Sequence, residues 1–451
     1  MQTNQLRNSI LDVLIRIDKD QGFSHLVLNE ELKSGRILAK DEGLFTEIVY
    51  GTIQQKMTLD FYLEAFVKQG KKVQPWVKML LRMSIYQMVY LDRIPDHAII
   101  HEAVEIAKTR GHKGSASFVN GVLRSIQRKG VPETNQIQDR NKRIAITTSH
   151  PMWLVNRWID QYGLEITEEM CKTNTKHKPI TVRVQPLKVT REKAIQQLTS
   201  EGLEVEPSLF SPQGIIIVDG NILKSKLFTE DYVTIQDQTS MLVAEILHPE
   251  QNMKVLDACS APGGKATHIA EKMRNHGEVY AHDLHAKKAK LVKEKADQLH
   301  LTNIQALAYD ARKLQELYPV HTFDRILIDA PCSGLGVIRG KPEIKYHKTE
   351  NDIEKLSSIQ LDILNHVSTL LKEEGTMVYS TCTTDKLENE TVVRRFLGQN
   401  ECWQVDKTFF DELPEPLRGS IGISSVGLQI FPHTFNTDGF FLTRLKRKSS
   451  E

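Results

Sequence analysis

Apolar side chains recur at helical spacing through the first 130 residues. Leu6, Ile10, Val13, Leu14 and Ile17 share one helix face, and Trp76, Met79, Leu80, Met83, Ile85, Met88 and Val89 form a second stripe. Pro75 suits the first position of that second helix, and Pro95 suits the break after it. His97 to Arg110 and Ser117 to Arg128 predict two more helices, parted by the turn RGHKG. Residues 1–130 therefore predict an all-helical domain. Residues 131–149 turn polar (VPETNQIQDRNKR) and predict a linker or a loosely packed connecting helix.

Residues 150–235 mix helical stretches such as Trp153 to Tyr162 with strand patterns. Thr181 to Gln185 alternates apolar and polar, and GIIIVDG at Gly214 to Gly220 is an apolar run between turn residues. A small α/β module is expected there. Over 236–451 the pattern becomes strand, loop, helix, repeated: MKVLDA, GEVYAHD, NIQALAYD, FDRILIDA and GTMVYSTC are short apolar runs ending in an acid or a small polar residue. Helical stretches such as Ala286 to Leu299 and Ser357 to Leu371 lie between them. This is the signature of a doubly wound, mostly parallel α/β sheet, with DGFFLTRLKR as an added edge strand. Ligands of such sheets sit at the carboxyl ends of the strands.

Composition narrows the possibilities. The 451 residues allow about three domains, and 40% hydrophobic with 26% charged residues is an ordinary globular balance. Net charge is +2, so any nucleic-acid surface must come from local clustering, such as Lys71 and Lys72, Arg110 to Lys113 and Arg124 to Lys129. Arg183 in the middle module is a further candidate contact, its alternative being an edge-strand arginine in a surface ion pair; the basic end, Arg444 to Lys448, is read as a disordered tail. No apolar run approaches the ~20 residues of a membrane span, and the N-terminus lacks a secretory pattern. Cys171, Cys259, Cys332, Cys382 and Cys402 are widely spread without a C-x-x-C pair, which argues against disulfides and a metal site. A reduced, cytoplasmic protein is expected, with no membrane contact, no obligatory protein partner and nothing that demands self-association.

LDACSAPGGK follows the first strand of the large sheet and opens a helix. Gly263 and Gly264 leave backbone bare where a ligand approaches, and the helix start supplies free amides. Cys259, Ser260, Ala261, Pro262, Gly263, Gly264 and Lys265 form this candidate loop. Asp283, closing the second strand, is placed to hold the hydroxyls of a ribose, and Asp310, closing the third, to meet an adenine amino group. The loop has neither the phosphate-loop pattern nor the full dinucleotide fingerprint. A nucleoside with little phosphate fits, and S-adenosylmethionine is such a ligand.

Asp329, Ala330, Pro331 and Cys332 close the fourth strand, and Thr381 and Cys382 close the fifth. Both thiols are expected in one crevice. Carbon 5 of a cytosine is too weak a nucleophile to take a methyl group unaided, but a thiolate adding at carbon 6 makes the ring an enamine. Hydrogen bonding at ring nitrogen 3, for which Asp329 is the nearest candidate, assists addition. The base must be single-stranded or flipped out to be reached. Lys265 or Lys345 are candidate sources of the charge that lowers a thiol's pKa. The residues alone do not choose which cysteine attacks.

Together CSAPGGK, IDAPCSGLG, KPEIKY, YSTC and FPHTFNTDGFF, preceded by QDQTSM, resemble the RNA (cytosine-5)-methyltransferases of the NOL1/NOP2/Sun type over the last half of the chain. The stretch LLRMSIYQMVYLDRIPDHAIIHEAVEIAK with SFVNGVLRSI resembles the all-helical NusB fold, and the combination resembles the RsmB subfamily. The resemblance implies a Rossmann-like S-adenosylmethionine methyltransferase domain acting on one cytosine of 16S ribosomal RNA. It implies that Cys382, in the T-C motif, is the nucleophile and that Cys332 helps release the product. It implies further that residues 259–265, Asp283, Asp310 and Asp329 line the cofactor pocket, and that Thr181 to Val184 belong to a small RNA-binding module. Ser260 stands where relatives often carry Ala. The competing readings are a transfer-RNA methyltransferase, whose relatives generally lack the helical front domain, and a non-catalytic assembly factor, which would be expected to lose its thiols or strand-end acids.

Overall fold

A computed structural model describes residues 3–20 and 24–448. They fall into two compact units: residues up to Lys176 together with Ile338–His347, and His177–Val337 together with the chain from Lys348 onward.

The first unit is helical among its described residues. The helix Pro75–Tyr90 is its axis, with Val77, Leu80, Leu81, Met83 and Ile85 buried around its whole girth. Pro75 occupies its first turn, where a missing N–H costs nothing. The polar residues this helix carries inward are paired, Arg82 with both carboxylate oxygens of Asp60 and Gln87 with Arg7. Lys113–Lys129 instead buries one stripe, Ala116, Val119, Val122, Leu123 and Ile126. The polar stretch 131–149 contains the helix Arg140–Thr147, capped by Asp139, whose side chain accepts from the Lys142 amide. Met152–Tyr162 and Leu164–Asn174 follow it, and the first unit continues to Lys176. Those two helices bury Leu154, Val155, Trp158 and Met170, an apolar face that is satisfied helix on helix.

Ile338–His347 carries the KPEIKY motif and belongs to this first unit although it interrupts the second in sequence. Glu343 is buried and accepts from the Ser24 amide at 3.0 Å and hydroxyl at 2.7 Å. Lys345, fully buried, donates to the Gln54 carbonyl and to Gln54 Oε1, each at 2.9 Å.

The second unit holds two sheets. In the smaller, β1 (Ile180–Val184), β2 (Glu204–Pro207), β3 (Gly214–Asp219) and β4 (Val233–Ile235) pair antiparallel in the order β2-β3-β1-β4, with the helix Arg191–Ser200 supplying Ala194 and Leu198 to the core. The larger contains β5 (Lys254–Asp257), β6 (Glu278–Asp283), β7 (Ile304–Ala308), β8 (Phe323–Asp329), β9 (Leu371–Thr381), β10 (Trp403–Val405), β11 (Ile423–Ser424), β12 (Gly427–Ile430) and β13 (Phe440–Arg447). Its order is β11-β12-β13-β9-β8-β5-β6-β7, with β10 also on β13. The run from β7 to β9 is parallel, and β13 joins it antiparallel. Strand order reverses between β5 and β8, which opens the ligand crevice of a doubly wound sheet beyond their carboxyl ends.

Two sequence expectations are corrected here. β13 is not an edge strand: it lies between β9 and β12, and Phe440 to Leu445 are all buried, Thr443 and Arg444 included, because the sheet is covered on both faces there. Arg444 is likewise no part of a loose tail. It is buried in β13, held by Asp406 at 2.8 Å and Glu412 at 2.5 Å.

Candidate active site

The loop after β5 turns at Gly263, whose φ of +101° favours glycine and whose added Cβ would press on Val292 Cα at 3.1 Å. That position is set by protein packing. Gly264 differs: nothing lies closer to its would-be Cβ than Gln236 Nε2 at 3.9 Å, so the first turn of the helix Gly264–Lys272 is left bare toward open space.

Four carboxylates gather at this end of the sheet. The Cys259 thiol is pushed well above its ordinary range by burial and then by the charges of Asp257, Asp329, Asp283 and Asp310. Asp257, at the end of β5 and fully buried, is pushed up to about 7 by burial and by Asp329. Asp283 accepts from the His285 amide through Oδ1 alone. Asp310 is more committed than expected, since Arg312 grips both of its oxygens, at 3.0 and 2.6 Å, and holds its carboxyl below the usual range.

The thiols meet at the next two strand ends. β8 and β9 run parallel with Asp329 opposite Ser380, so both chains leave the sheet in register and Cys332 Sγ comes within 3.4 Å of Cys382 Sγ. Neither is in a disulfide, and both are partly buried. The hydrogen bond with Cys382, then burial and the negative charge of that neighbour, push the Cys332 thiol well up, so Cys332 keeps its proton. Beside them Lys265 Nζ donates to Asp329 Oδ2 at 2.7 Å, and the Ser380 hydroxyl donates to Oδ1 at 2.8 Å. Burial works against the Lys265 charge, but Asp329 and Cys382 override it and hold the ammonium above its usual range.

Of the two lysines expected to act on the attacking thiol, Lys265 stands beside the Cys332–Cys382 pair, whereas the thiol that Lys345 acts on is Cys171. Lys345 is engaged with Gln54 in the first unit, and burial pulls it down to about 7. Arg183 is also reassigned. It is neither an RNA contact nor a surface ion pair: its side chain is fully buried, bonded twice to Glu271, to the Gly264 carbonyl at 2.7 Å, to Thr267 and to Gln236. It fastens the helix Gly264–Lys272 to β1. A solitary arginine in an alternating strand carries no sequence signal for that role, and the same holds for Glu388 and Asn389 behind the thiols.

Family models match the chain in three stretches: "NusB family" over residues 4–128, "Methyltr_RsmF/B-like, ferredoxin-like domain" over 150–222 and "16S rRNA methyltransferase RsmB/F" over 244–446. A Bacillus subtilis protein called probable ribosomal RNA small subunit methyltransferase B is 48% identical over 448 residues, covering 99% of this chain and 100% of its own. The chain belongs to the RsmB/F methyltransferase family. The ribosomal RNA small subunit methyltransferase B of Photorhabdus laumondii is 32% identical, over 95% of this chain and 96% of its own. The crystal structure of PH0851 superposes with a TM-score of 0.83 at 26% identity, covering 99% of each chain. A methyltransferase homolog from Pyrococcus horikoshii gives 0.59 at 25% identity, over 69% of this chain and all of its own.

RsmB/F enzymes are S-adenosylmethionine-dependent methyltransferases. The residues here suit that donor. Its sulfonium and ammonium are cationic, and the carboxyl ends of the strands offer four acids, of which Lys265 pairs with Asp329 and Arg312 with Asp310. A bare helix start beside them suits the remaining carboxylate.

Proposed function

We propose that this enzyme methylates carbon 5 of one cytosine in 16S ribosomal RNA through a transient bond between Cys382 and carbon 6 of that base. The observation that carries the reading is the pair of sulfurs 3.4 Å apart, flanked by the Lys265–Asp329 ion pair at 2.7 Å. A methyltransferase acting on an exocyclic oxygen or nitrogen has no use for two thiols; activation of a pyrimidine carbon has.

In this scheme Cys382 attacks as the thiolate, and the Lys265 ammonium favours that charge. Its sulfur adds to carbon 6, and the electron pair displaced from the double bond makes carbon 5 nucleophilic. Asp329 faces ring nitrogen 3 and relays to it a proton from Lys265, which neutralises the charge that addition places there and returns by the same path when the ring regains its double bond. S-adenosylmethionine supplies the methyl cation equivalent to carbon 5. The carbon 5 proton then leaves to water, the carbon–sulfur bond breaks, and Cys332 passes its retained proton to the departing Cys382 sulfur. Residues 259–265, Asp257, Asp283 and Asp310 hold the donor. The target base is everted or single-stranded when it enters.

The 16S substrate comes from the relatives named above. In the first unit the exposed Lys72, Lys113, Arg128 and Lys129 offer phosphate contacts, whereas Arg110 is held by Asp12 at 2.6 Å. Bisulfite mapping of 16S ribosomal RNA from cells lacking this protein tests the reading. One cytosine that loses protection, and regains it when the purified enzyme and the donor are added back, supports it. Unchanged protection throughout the RNA overturns it.

A further inference from the structure

Glu388 and Asn389 are neighbours in sequence, and each grips the loop of a different thiol. Glu388 is buried and accepts from the Ser333 amide at 2.8 Å and from the Ser333 hydroxyl at 2.5 Å. Ser333 follows Cys332 directly. On the other side of Cys332, Gln360 Nε2 donates to the Pro331 carbonyl at 2.9 Å and to Glu388 Oε1 at 3.1 Å. Both flanks of Cys332 are thus tied to one carboxylate.

Asn389 brackets Cys382 in the same way. Its Oδ1 accepts from the Thr381 hydroxyl at 2.5 Å, and its Nδ2 donates to the Thr383 carbonyl at 3.1 Å. The Cys382 carbonyl itself accepts from the Gly336 amide at 3.0 Å. Ser333 and Thr383 hydroxyls touch at 2.8 Å, joining the two brackets. Burying an acid and an amide side by side is unfavourable unless their polar atoms are satisfied. Here those bonds go to the residues on either side of each cysteine and, behind them, to Gln360 and Gln429.

We propose that Glu388 and Asn389 are positioning residues with divided duties: Asn389 aims Cys382 at carbon 6, and Glu388 aims Cys332 for product release. Each acts through the residues beside a thiol. The inference rests on the two-thiol reading given above.

The test uses the full chain with 16S ribosomal RNA and S-adenosylmethionine, following covalent protein–RNA adduct on denaturing gels alongside methyl transfer, donor affinity and melting temperature. Asn389→Ala is expected to slow adduct formation about 100-fold, the effect of a small misplacement of a reacting group, with donor affinity unchanged. Glu388→Ala is expected to accumulate adduct as Cys332→Ala does. Glu388→Gln should restore near-normal turnover, because its amide still accepts from the Ser333 N–H and now donates to the Ser333 hydroxyl. If Asn389→Ala does not fold, Asn389→Asp, which keeps the bond from Thr381 but turns an acceptor toward the Thr383 carbonyl and Gln429, reads the same step. Two results overturn the proposal: Glu388→Gln failing as badly as Glu388→Ala, or both positions impairing both steps in proportion to lost stability. If Cys332→Ala itself forms no adduct, the two-thiol reading falls. If it does form adduct while positions 388 and 389 show no division, only the positioning inference falls.

Discussion

Arg183 and Glu271 face each other with both side chains out of reach of solvent, Nε to Oε2 and Nη2 to Oε1 each at 2.8 Å. The pair joins β1 of the small sheet to the helix Gly264–Lys272. A guanidinium suits this place because its planar fork serves the carboxylate bidentately and still reaches the Gly264 carbonyl.

Replacing Arg183 by Met should cost the second unit about 3–5 kcal/mol, because Glu271 is left buried without its partner. Adding Glu271→Leu should recover most of that loss. Chemical denaturation measures both. The salt dependence of RNA affinity should stay as in the wild type, since a covered guanidinium neutralises no phosphate; a shallower slope would return Arg183 to the RNA surface.

The two thiols predict opposite phenotypes. Cys382→Ala should abolish methyl transfer and form no adduct, while binding S-adenosylmethionine nearly as well as wild type. Cys332→Ala should form the adduct and fail to clear it. A Cys332→Ala enzyme that is inactive without adduct would reverse the assignment.

Gly336 passes between the Cys382 loop and the turn at Gly439. A Cβ there would lie 1.9 Å from the Gly439 carbonyl oxygen and 2.8 Å from that of Cys382, both backbone atoms that cannot yield cheaply. Gly336→Ala should therefore lower kcat at least tenfold, order-of-magnitude for a displaced reacting group, and reduce stability. Single-turnover kinetics and a thermal melt read the two effects; a fully active variant would show that the Cys382 loop tolerates displacement.

Asp257 links stability to pH in the absence of the methyl donor. Its carboxyl is pushed up to about 7 by burial and Asp329, against about 3.9 in an unfolded chain. The folded state thus binds the extra proton, and this contribution is whole below about pH 4 and fades as pH rises through about 7. Asp257→Asn should gain on wild type by a few kcal/mol, an order of magnitude only, between pH 5 and pH 8 in urea titrations. A constant difference across that range would mean Asp257 ionises normally.

Lys345 should show the opposite slope in the first unit. Burial pulls it down to about 7, so the unfolded chain holds the proton longer and stability rises as pH climbs from about 7 toward 10.5. Lys345→Met, keeping length without charge, should flatten that rise in a denaturation series.

What was legible in the sequence was whatever has a period or a sharp boundary. The strand-end acids and both cysteines were found because each follows an apolar run, and parallel register then puts Asp329 opposite Ser380. Nothing local marks Arg183 as buried: Thr181 to Gln185 alternates as a half-exposed strand would, and only tertiary placement brings Glu271 within reach. β13 reads as an edge strand because Thr443 and Arg444 break its apolar run, and only the tertiary pairing of Arg444 with Asp406 and Glu412 makes burial of both faces tolerable. KPEIKY reads as part of the catalytic half, since sequence order cannot say that Glu343 and Lys345 find their partners in Ser24 and Gln54.

That excursion of Ile338–His347 into the helical unit has a consequence for how the protein can be dissected or shuffled. Because the polypeptide changes units after Lys176, again after Val337 and once more after His347, no single cut separates them cleanly. A fragment beginning at His177 would carry a stranded acid and a stranded lysine, each cut off from the groups that make its burial tolerable. In this protein the front helices and the catalytic sheet are therefore best expressed and purified as one piece.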